Sequence, residues 1–437
     1  MVGQTCRQAL ESMPDTFQSK QHYLSPVDHI LPPVYTNFCL AFRTTRFRES
    51  QSILTEGVQK LVSLIPWLSR EIVRCTDNGL LSIQASTGVE EIPMITFSTD
   101  GSLSLKQVAR AGTSTGFGEL RLLRKLTPLP LFPSSAGPVY VVRFKVTSLS
   151  DGVVLAMSAC HSAFDAAGAG HLMRHLAKCC HGANPQGCLD DKGLRQDVWA
   201  IAASNPSKQL RVTDPRPVFA RAAETFEGDL EALAQKTMVS CLTISGARLA
   251  GLKGACNALL NARLGPNSAS PVQFLSSHDI LAGLITRVIH PNPKVLDGAS
   301  DVRVAVNFRD QLTPWWASGY IGNFITLVPA PQSPNPTDKD VATAQRLITE
   351  TNRRNILAID LAIRGLEYHD AYFGPVLDKA EEFLTHALYP TKVCVILPKR
   401  RSQDGAEDPD WEVLLYLSRE DHALAMESDL LGSFVKR

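Results

Sequence analysis

The order of apolar and polar residues divides this chain into short segments with the periodicity of strands and helices. Residues 153–159 form an apolar run without polar alternation that follows an Asp-Gly turn dipeptide, so they predict a short buried strand. Small residues follow this strand, and then an apolar pattern with helical spacing continues through Leu172, Leu176 and Cys179. The pattern therefore predicts a strand, a corner and a helix in succession.

The same criteria predict further strands and helices on both sides of this unit. The predicted strands cover 34–42, 80–83, 92–97, 139–146, 239–244, 302–306, 393–397 and 411–417, and the predicted helices cover 49–64, 247–260, 280–289 and 421–430. This mixture indicates the α/β fold class.

A polar, proline-containing segment near residue 200 separates two groups of predicted elements. Such composition is typical of a domain boundary or a linker. We expect an N-terminal half over 1–190, a crossover linker over 191–217 and a C-terminal half over 218–437.

Composition and charge describe a globular protein and exclude some partners. The chain has 437 residues, of which 44% are hydrophobic and 20% are charged. The net charge of +1 gives no basic surface for nucleic acid or an anionic membrane. The first residues lack a continuous apolar region, and no apolar stretch is long enough to span a bilayer. We therefore expect a cytoplasmic protein with neither nucleic acid nor a membrane as a partner.

The ten cysteines are scattered without paired spacing, so we expect free thiols in a reducing compartment. The cluster Cys179, Cys180, His181 and Cys188 is the one candidate for zinc. Adjacent cysteines on a helix point in different directions, and no second C-x-x-C pair completes a tetrahedral site. We expect no bound metal.

The corner after the 153–159 strand carries the first candidate for catalysis. His161 directly follows the strand, and Asp165 lies four residues further on. An imidazole with a pKa near neutrality is suited to take a proton from a hydroxyl group. A loop histidine with no catalytic role, followed by an aspartate that caps the next helix, would show the same spacing. The H-x-x-x-D spacing alone leaves both interpretations open.

Four more motifs follow in a fixed order and decide between these interpretations. They are L-S-S-H-D before a predicted helix (residues 275–279), N-x-R ending at Arg309, G-Y-x-G-N ending at Asn323, and a strand of the V-x-I-L-P type over 393–397. The chain also begins with Leu24-Ser25-Pro26-Val27-Asp28. This order resembles the plant and fungal BAHD acyltransferases, and most of all their fungal branch, which acylates hydroxyl groups of secondary metabolites.

The resemblance implies two pseudo-symmetric halves of the chloramphenicol acetyltransferase type, each with a mixed sheet flanked by helices, with a solvent channel between them. It implies that His161 is the general base and that Asp165 holds the loop by pairing with an arginine. An acyl-CoA, expected to be acetyl-CoA, and a small-molecule alcohol would enter the channel from opposite faces as co-substrates. Transfer would be direct within a ternary complex, with no bound cofactor, in a monomeric enzyme.

One motif of the resembling family is altered in this chain. The family has D-F-G-W-G where Tyr372-Phe373-Gly374-Pro375-Val376 stands here, so Tyr372 replaces an aspartate that pairs with the arginine of N-x-R. A buried arginine without a partner is costly. We therefore expect Asp370 or another acid to pair with Arg309, and we assign Arg309, Asp370, Tyr372 and Gly374 to this structural motif.

Two further residues are candidates for contact with substrate. Asn323 ends the G-Y-x-G-N motif, with a tight turn as the alternative explanation. Trp315 is adjacent to Trp316, so at most one of the two faces the channel if the segment is extended, and core packing is the alternative.

Two other functions on the same fold remain as alternatives. A carrier-protein-dependent condensation enzyme has a doubled histidine, H-H-x-x-x-D-G, but Cys160 precedes His161 here. A catalytically silent binding protein would need no general base. Because Cys160 replaces the first histidine, the sequence favours the CoA-dependent O-acyltransferase.

Overall fold

A computed structural model describes the chain over residues 22–31, 33–86, 92–113, 122, 124–133, 137–185, 191–204, 237–264, 274–289, 301–307, 309, 320–329, 356–360, 368–386, 393–398 and 407–436. Trp315 lies outside the described residues, as does residue 316.

The strands of the N-terminal part are β1 (His22–Tyr23), β2 (Tyr35–Arg43), β3 (Glu71–Arg74), β4 (Leu81–Gln84), β5 (Ile95–Thr99), β6 (Val139–Tyr140), β7 (Val142–Ser148) and β8 (Gly152–Cys160). Those of the C-terminal part are β9 (Met238–Ile244), β10 (Asp301–Asn307), β11 (Ile325–Pro329), β12 (Ile356–Asp360), β13 (Glu382–His386), β14 (Val393–Ile396) and β15 (Trp411–Leu417). The helices are α1 (Phe47–Leu64), α2 (Leu105–Thr113), α3 (Ala166–Cys180), α4 (Asp191–Ser204), α5 (Gly246–Leu264), α6 (Ser277–Ile289), α7 (Arg419–Met426) and α8 (Asp429–Gly432).

Three sheets organise these elements. A five-stranded sheet has the order β13-β2-β8-β7-β5, a six-stranded sheet has the order β11-β10-β12-β14-β15-β9, and a small sheet has the order β1-β4-β3-β6. Both large sheets are mixed, because β5 pairs with β7 in parallel and β12 lies parallel to β10 and β14. The predicted α/β class is confirmed.

The central strand of the five-stranded sheet positions the candidate histidine. All nine residues of β8 are buried, as its continuous apolar run predicts. β8 pairs with β2 on one side, where Tyr35 lies opposite Cys160, and with β7 on the other. Strand β8 therefore ends at residue 160 in the middle of the sheet, and the chain turns there into α3.

Two predicted elements differ from the structure for local reasons. The single strand predicted over 139–146 is divided into β6, which pairs with β3, and β7, which pairs with β8, because the chain changes sheets at Val141. The single helix predicted over 421–430 is divided into α7 and α8, because the Ser428 side chain accepts a hydrogen bond from the Leu431 amide and caps a second helix.

The C-terminal half of the sequence contributes one strand to the sheet of the N-terminal half. Strand β13, from the C-terminal part, pairs antiparallel with β2 and completes the edge of the N-terminal sheet. The segment expected to be a crossover linker begins with helix α4, in which Arg195 and Trp199 are buried, and residues 205–217 lie outside the described residues. The division at 190 and 217 therefore stays a prediction, while the five-stranded sheet contains strands from both sides of it.

The hydrophobic core also joins the two large sheets. The larger cluster of buried residues contains β2, β7, β8, α1 and α3 together with Val393, Val395, Leu414 and Tyr416 of β14 and β15. A second cluster packs β9 and β15 against α5 and α6. Among the helices of the described ranges, none is long and apolar enough to cross a membrane.

The first turn of α3 packs closely against the backbone of the C-terminal part. A Cβ atom on Gly168 would overlap the carbonyl oxygen of Ile321. Backbone cannot yield there as a flexible side chain would, so this position requires glycine. The chain has D-A-A-G where the family has D-G, and Gly168 provides the close approach.

We expect Gly168→Ala to lower the free energy of unfolding by about 1–3 kcal/mol, because the added methyl separates α3 from the Ile321 backbone. Gly283→Ala is the matched control, since nothing lies within 4 Å of a Cβ built on this exposed helical glycine. The control should raise stability by up to about 1 kcal/mol through helix propensity. Urea unfolding measures both, and equal effects of the two variants would contradict the close approach.

Candidate active site

His161 lies where β8 ends and the chain turns towards α3. Its backbone amide donates a hydrogen bond to the Val34 carbonyl oxygen at 2.7 Å, which continues the pairing of β8 with β2. The Ser162 hydroxyl donates to the Leu31 carbonyl oxygen at 3.1 Å. The histidine is therefore half-buried at a corner whose backbone is fixed by the neighbouring strand.

The ring of His161 is held in one tautomer. Its Nδ1 atom lies 3.1 Å from the carbonyl oxygen of Phe164, and a carbonyl oxygen can only accept. Nδ1 therefore carries the hydrogen, and the lone pair of the neutral ring lies on Nε2. Nothing in the described part of the chain hydrogen-bonds to Nε2. This atom is available as a base.

Asp165 is a structural carboxylate and not a partner of the imidazole. It is buried, and its Oδ1 accepts from the Gly168 amide at 2.7 Å as the N-cap of α3. The Arg309 guanidinium donates to Oδ1 at 2.8 Å and to Oδ2 at 2.9 Å, and the Phe324 amide donates to Oδ2 at 2.8 Å. These four donors occupy the acceptor sites of a carboxylate. Asp165 therefore fixes the loop end.

Arg309 has a partner for every guanidinium hydrogen. Besides the two bonds to Asp165, Nε donates to the Tyr320 carbonyl oxygen at 3.0 Å, Nη1 to Asn307 Oδ1 at 3.1 Å, and Nη2 to the Gly322 carbonyl oxygen. The side chain is buried. A bidentate, fully bonded pair of this kind offsets the cost of burying two charges. It joins the N-terminal loop to the C-terminal part.

The acid that pairs with Arg309 is thus Asp165, and the expectation for Asp370 was wrong. The Asp370 side chain is 59% exposed and lies 3.8 Å from Lys379 Nζ. Closeness in sequence to the altered motif gave no information about closeness in space. The expectation that some acid neutralises Arg309 is confirmed, and the same pair fulfils the role expected of Asp165.

The altered motif forms a turn against the end of α3. Gly374 has φ of +96°, a conformation that favours glycine. Phe373 is buried with its ring 5.0 Å from that of Phe42. Tyr372 is 40% exposed, and its carbonyl oxygen accepts a hydrogen bond from His181 Nδ1 at 2.9 Å. Phe373 and Gly374 keep a structural role, and Tyr372 lies at the surface.

Asn323 contacts the backbone of the candidate base. Its Nδ2 donates to the His161 carbonyl oxygen at 2.9 Å and to Asp28 Oδ1 at 2.7 Å, and its own amide donates to the same Oδ1 at 3.0 Å. The side chain is completely buried. Both amide hydrogens are therefore used within the protein.

A second buried ion pair lies behind Asn323. Arg195 donates from Nη1 to Asp28 Oδ2 and from Nη2 to the Ala163 carbonyl oxygen at 3.0 Å. The Ser25 amide donates to the same Oδ2 at 2.6 Å. Burial raises the pKa of the Asp28 carboxyl, and the Arg195 cation opposes this. Both carboxylate oxygens face donors, and these donors stabilise the charged form.

Sequence analysis missed Asp28 and Arg195 as site residues. Asp28 belongs to the L-S-P-V-D start that carries the family resemblance, and this signal could have singled it out. Arg195 lies in a segment interpreted as a linker, and no local pattern marks it. Only the fold brings these two residues together beneath the histidine loop.

Two histidines near the site, the buried His29 and the half-buried His171, are neutral at pH 7. Burial lowers the pKa of His29 to about 4, and its ring is fixed between the Ser25 carbonyl oxygen and the Leu81 amide. Burial, and then the cations of Arg174 and Arg309, lower the pKa of His171 to about 3. Neither ring adds positive charge to the site.

The cysteines near the site are thiols without nucleophilic character. Burial raises the pKa of Cys160 to about 12. The described cysteines are free, and residues 6 and 188 lie outside the described ranges. In these ranges no three histidine, cysteine or acidic residues are grouped so that they could hold a metal ion.

An apolar pocket lies between α3 and the strands β2 and β13. It is open, it encloses a volume of only about 20 Å³, and its lining is mostly apolar. The lining residues are Phe38, Leu40, Ala169, Gly170, Met173, Arg174, Tyr368, Ala371 and Phe383. The pocket is therefore a shallow hollow, well below the usual size of a site that encloses a small molecule. Phe38 is four residues along β2 from Val34, or roughly 13 Å from the histidine corner.

Comparison with known proteins gives the class of this protein. Residues 34–180 match the family model described as the trichothecene 3-O-acetyltransferase-like N-terminal domain. The solved structure of F. graminearum TRI101, complexed with coenzyme A and deoxynivalenol, matches with a TM-score of 0.65 at 14% identity and covers 96% of this chain and 99% of that chain. Vinorine synthase matches with a TM-score of 0.63 at 15% identity and covers 97% and 95%. The fold is that of the BAHD acyltransferases.

A curated relative places the chain more closely. The O-acetyltransferase andG of Emericella variicolor is 34% identical over 480 residues, which cover 95% of this chain and 98% of that protein. The chain therefore belongs to the fungal O-acetyltransferases of the BAHD type, which use acyl-CoA to acylate hydroxyl groups of secondary metabolites. The family resemblance and the fold expected from the sequence are confirmed.

We expect Asp165→Asn to lower the free energy of unfolding by about 3–5 kcal/mol, because it leaves the buried Arg309 cation without its anion. Asp370→Asn is the matched control and should change stability by less than about 0.5 kcal/mol, since its carboxylate is mostly exposed. Chemical denaturation followed by circular dichroism measures both variants. A larger loss for Asp370→Asn than for Asp165→Asn would contradict the pairing seen here.

Proposed function

We propose that this protein is an O-acetyltransferase in which His161 is the general base that activates the hydroxyl group of the acceptor. The observation that carries the proposal is the fixed tautomer of His161. The Phe164 carbonyl oxygen holds the hydrogen on Nδ1, so Nε2 presents its lone pair without a competing partner among the described residues. Asp165, the other half of the motif, is the loop anchor.

The chemistry follows from this arrangement. Nε2 takes the proton of the acceptor hydroxyl as its oxygen attacks the thioester carbonyl carbon of acetyl-CoA. The tetrahedral intermediate collapses, the carbon–sulfur bond breaks, and the imidazolium returns the proton to the CoA thiolate. Ester and free CoA are the products, and His161 is regenerated.

A covalent acyl-enzyme is disfavoured by the residues that flank His161. The Cys160 thiol is buried, and its pKa of about 12 keeps it protonated. The Ser162 hydroxyl is also buried and donates to the Leu31 carbonyl oxygen. Neither group is activated as a nucleophile. This supports direct transfer within a ternary complex, as the sequence predicts.

The apolar pocket supports a class of acceptor. Its lining of aromatic and aliphatic side chains favours a ring-fused apolar alcohol, and the single cation Arg174 lies at its wall. The hollow is too small to enclose such a ligand, so it would contact only one apolar edge of the acceptor. The monomeric state and cytoplasmic location stay predictions, which light scattering and cell fractionation would test.

We expect His161→Ala to lower kcat at least about a hundredfold, because it removes the base and little else. The unfolding midpoint should stay close to that of the wild type. His181→Ala is the control, because this exposed histidine at the end of α3 also donates from Nδ1 to a carbonyl oxygen. Labelled acetyl-CoA with a panel of polycyclic alcohols provides the assay. Near-normal turnover by His161→Ala would remove the mechanism.

We expect Ala371→Leu to raise the KM for a polycyclic acceptor about tenfold, because the larger side chain fills the shallow hollow proposed to contact the acceptor. The KM for acetyl-CoA should change by less than about twofold, since the two co-substrates are expected to enter from opposite faces. Initial rates with each substrate varied in turn separate the two values. An increase in the acetyl-CoA value alone would assign the pocket to the acyl donor.

A further inference from the structure

A fully buried asparagine holds the backbone carbonyl group of the candidate base. Asn323 donates one Nδ2 hydrogen to the His161 carbonyl oxygen and the other to Asp28 Oδ1. The two acceptors lie far apart in sequence and come together only around this amide. Among the residues that the structure describes, Asn323 is thus the one whose hydrogen bonds reach both the His161 backbone and the buried ion pair Asp28–Arg195.

The orientation of the Asn323 amide follows from its surroundings. If the amide were turned over, Oδ1 would face the Asp28 carboxylate and the His161 carbonyl, and acceptors would meet acceptors. The observed orientation leaves Oδ1 buried without a donor in the described part of the chain. A buried carbonyl in this state has lost its hydrogen bonds to water without gaining others, which is unfavourable. The Asn323 amide therefore satisfies the His161 carbonyl oxygen and Asp28 Oδ1, while its own oxygen stays unsatisfied.

Asp28 is what fixes this amide. Its Oδ1 accepts from both the backbone amide and Nδ2 of Asn323, and its Oδ2 is held by Arg195 and the Ser25 amide. Arg195 also donates to the Ala163 carbonyl oxygen, two residues after the base. Asn323 and Arg195, both bound to Asp28, thus hold the carbonyl groups of His161 and Ala163 in the histidine loop.

Resting on the proposed function, we propose that Asn323 is a positioning residue for acyl transfer, anchored by Asp28, and that it acts on the reaction through the His161 backbone. Neither side chain is exposed to substrate, since both are completely buried. No carboxylate of the described residues hydrogen-bonds to the imidazole, and its Nδ1 is held by the Phe164 carbonyl oxygen, so its direction depends on the backbone of residues 161–164. A displacement of the His161 carbonyl group moves the ring and misaligns Nε2 with the acceptor hydroxyl.

Asn323→Ala tests the proposal. We expect kcat to fall about tenfold or more, with both KM values within about twofold of the wild type, because binding groups are untouched while alignment is lost. Asn257→Ala is the matched control: Asn257 also joins a helix to a loop with three hydrogen bonds, to Lys253 and Leu275, but lies in α5 away from the site. The control should lose stability and keep kcat.

A double-mutant cycle separates positioning from general destabilisation. If Asp28 acts through Asn323, Asp28→Asn combined with Asn323→Ala should have the same kcat as Asn323→Ala alone, while the stability losses accumulate. Asp28→Glu keeps the charge beside Arg195 and replaces Asp28→Asn in the cycle if that variant does not fold. Additive losses in kcat would overturn the role of Asp28.

The outcomes also distinguish this inference from the proposed function. An unchanged kcat for Asn323→Ala with an inactive His161→Ala would reject the positioning role alone. A change confined to either KM would make Asn323 a substrate contact and reject the role as well. Full activity of His161→Ala would reject the general base, whatever Asn323→Ala shows.

Discussion

The rest of the site depends on the buried ion pair between Asp165 and Arg309. Two charges in the protein interior are tolerated only when they meet with good geometry and when their remaining hydrogen-bonding groups are satisfied. Both conditions hold here, since the pair is bidentate and the other donors go to Asn307 and two backbone carbonyls. The partners are 144 residues apart, so the histidine loop reaches its final form only when both parts of the chain have folded together.

The position of residues 320–324 depends on this pair, and the segment packs around the histidine loop. Its carbonyl groups accept from Arg309, the Phe324 amide donates to Asp165, and the Asn323 side chain reaches the His161 carbonyl group. Close approach of this segment to α3 requires glycine at 168. The two ends of the H-x-x-x-D loop are therefore held by neighbouring residues of one short segment, which couples the position of the base to the docking of the C-terminal part.

Residue patterns predicted the local features of this site, the family resemblance implied the pairing of Asp165 with an arginine, and the other long-range contacts were missed. The apolar run of β8 and the N-cap at Asp165 depend on neighbouring residues, so a single sequence reveals them. The joining of β13 to β2, and the contact of Asp28 with Asn323, 295 residues apart, depend on how distant segments pack. Asp370 was chosen as a partner by distance along the chain, and this choice failed because sequence separation does not determine which acid reaches a buried cation.

A base with no carboxylate partner in the described part of the chain depends on the surrounding backbone for its orientation. In a triad, an acid both orients the imidazole and stabilises the imidazolium. Here Asp165 is occupied by four donors, and the His161 ring is oriented by the Phe164 carbonyl oxygen of its own loop. That carbonyl can orient the ring only as accurately as the loop backbone is held. The position of Nε2 thus depends on how rigidly the loop backbone is held. This explains why buried ion pairs and Asn323 surround a loop of only a few residues.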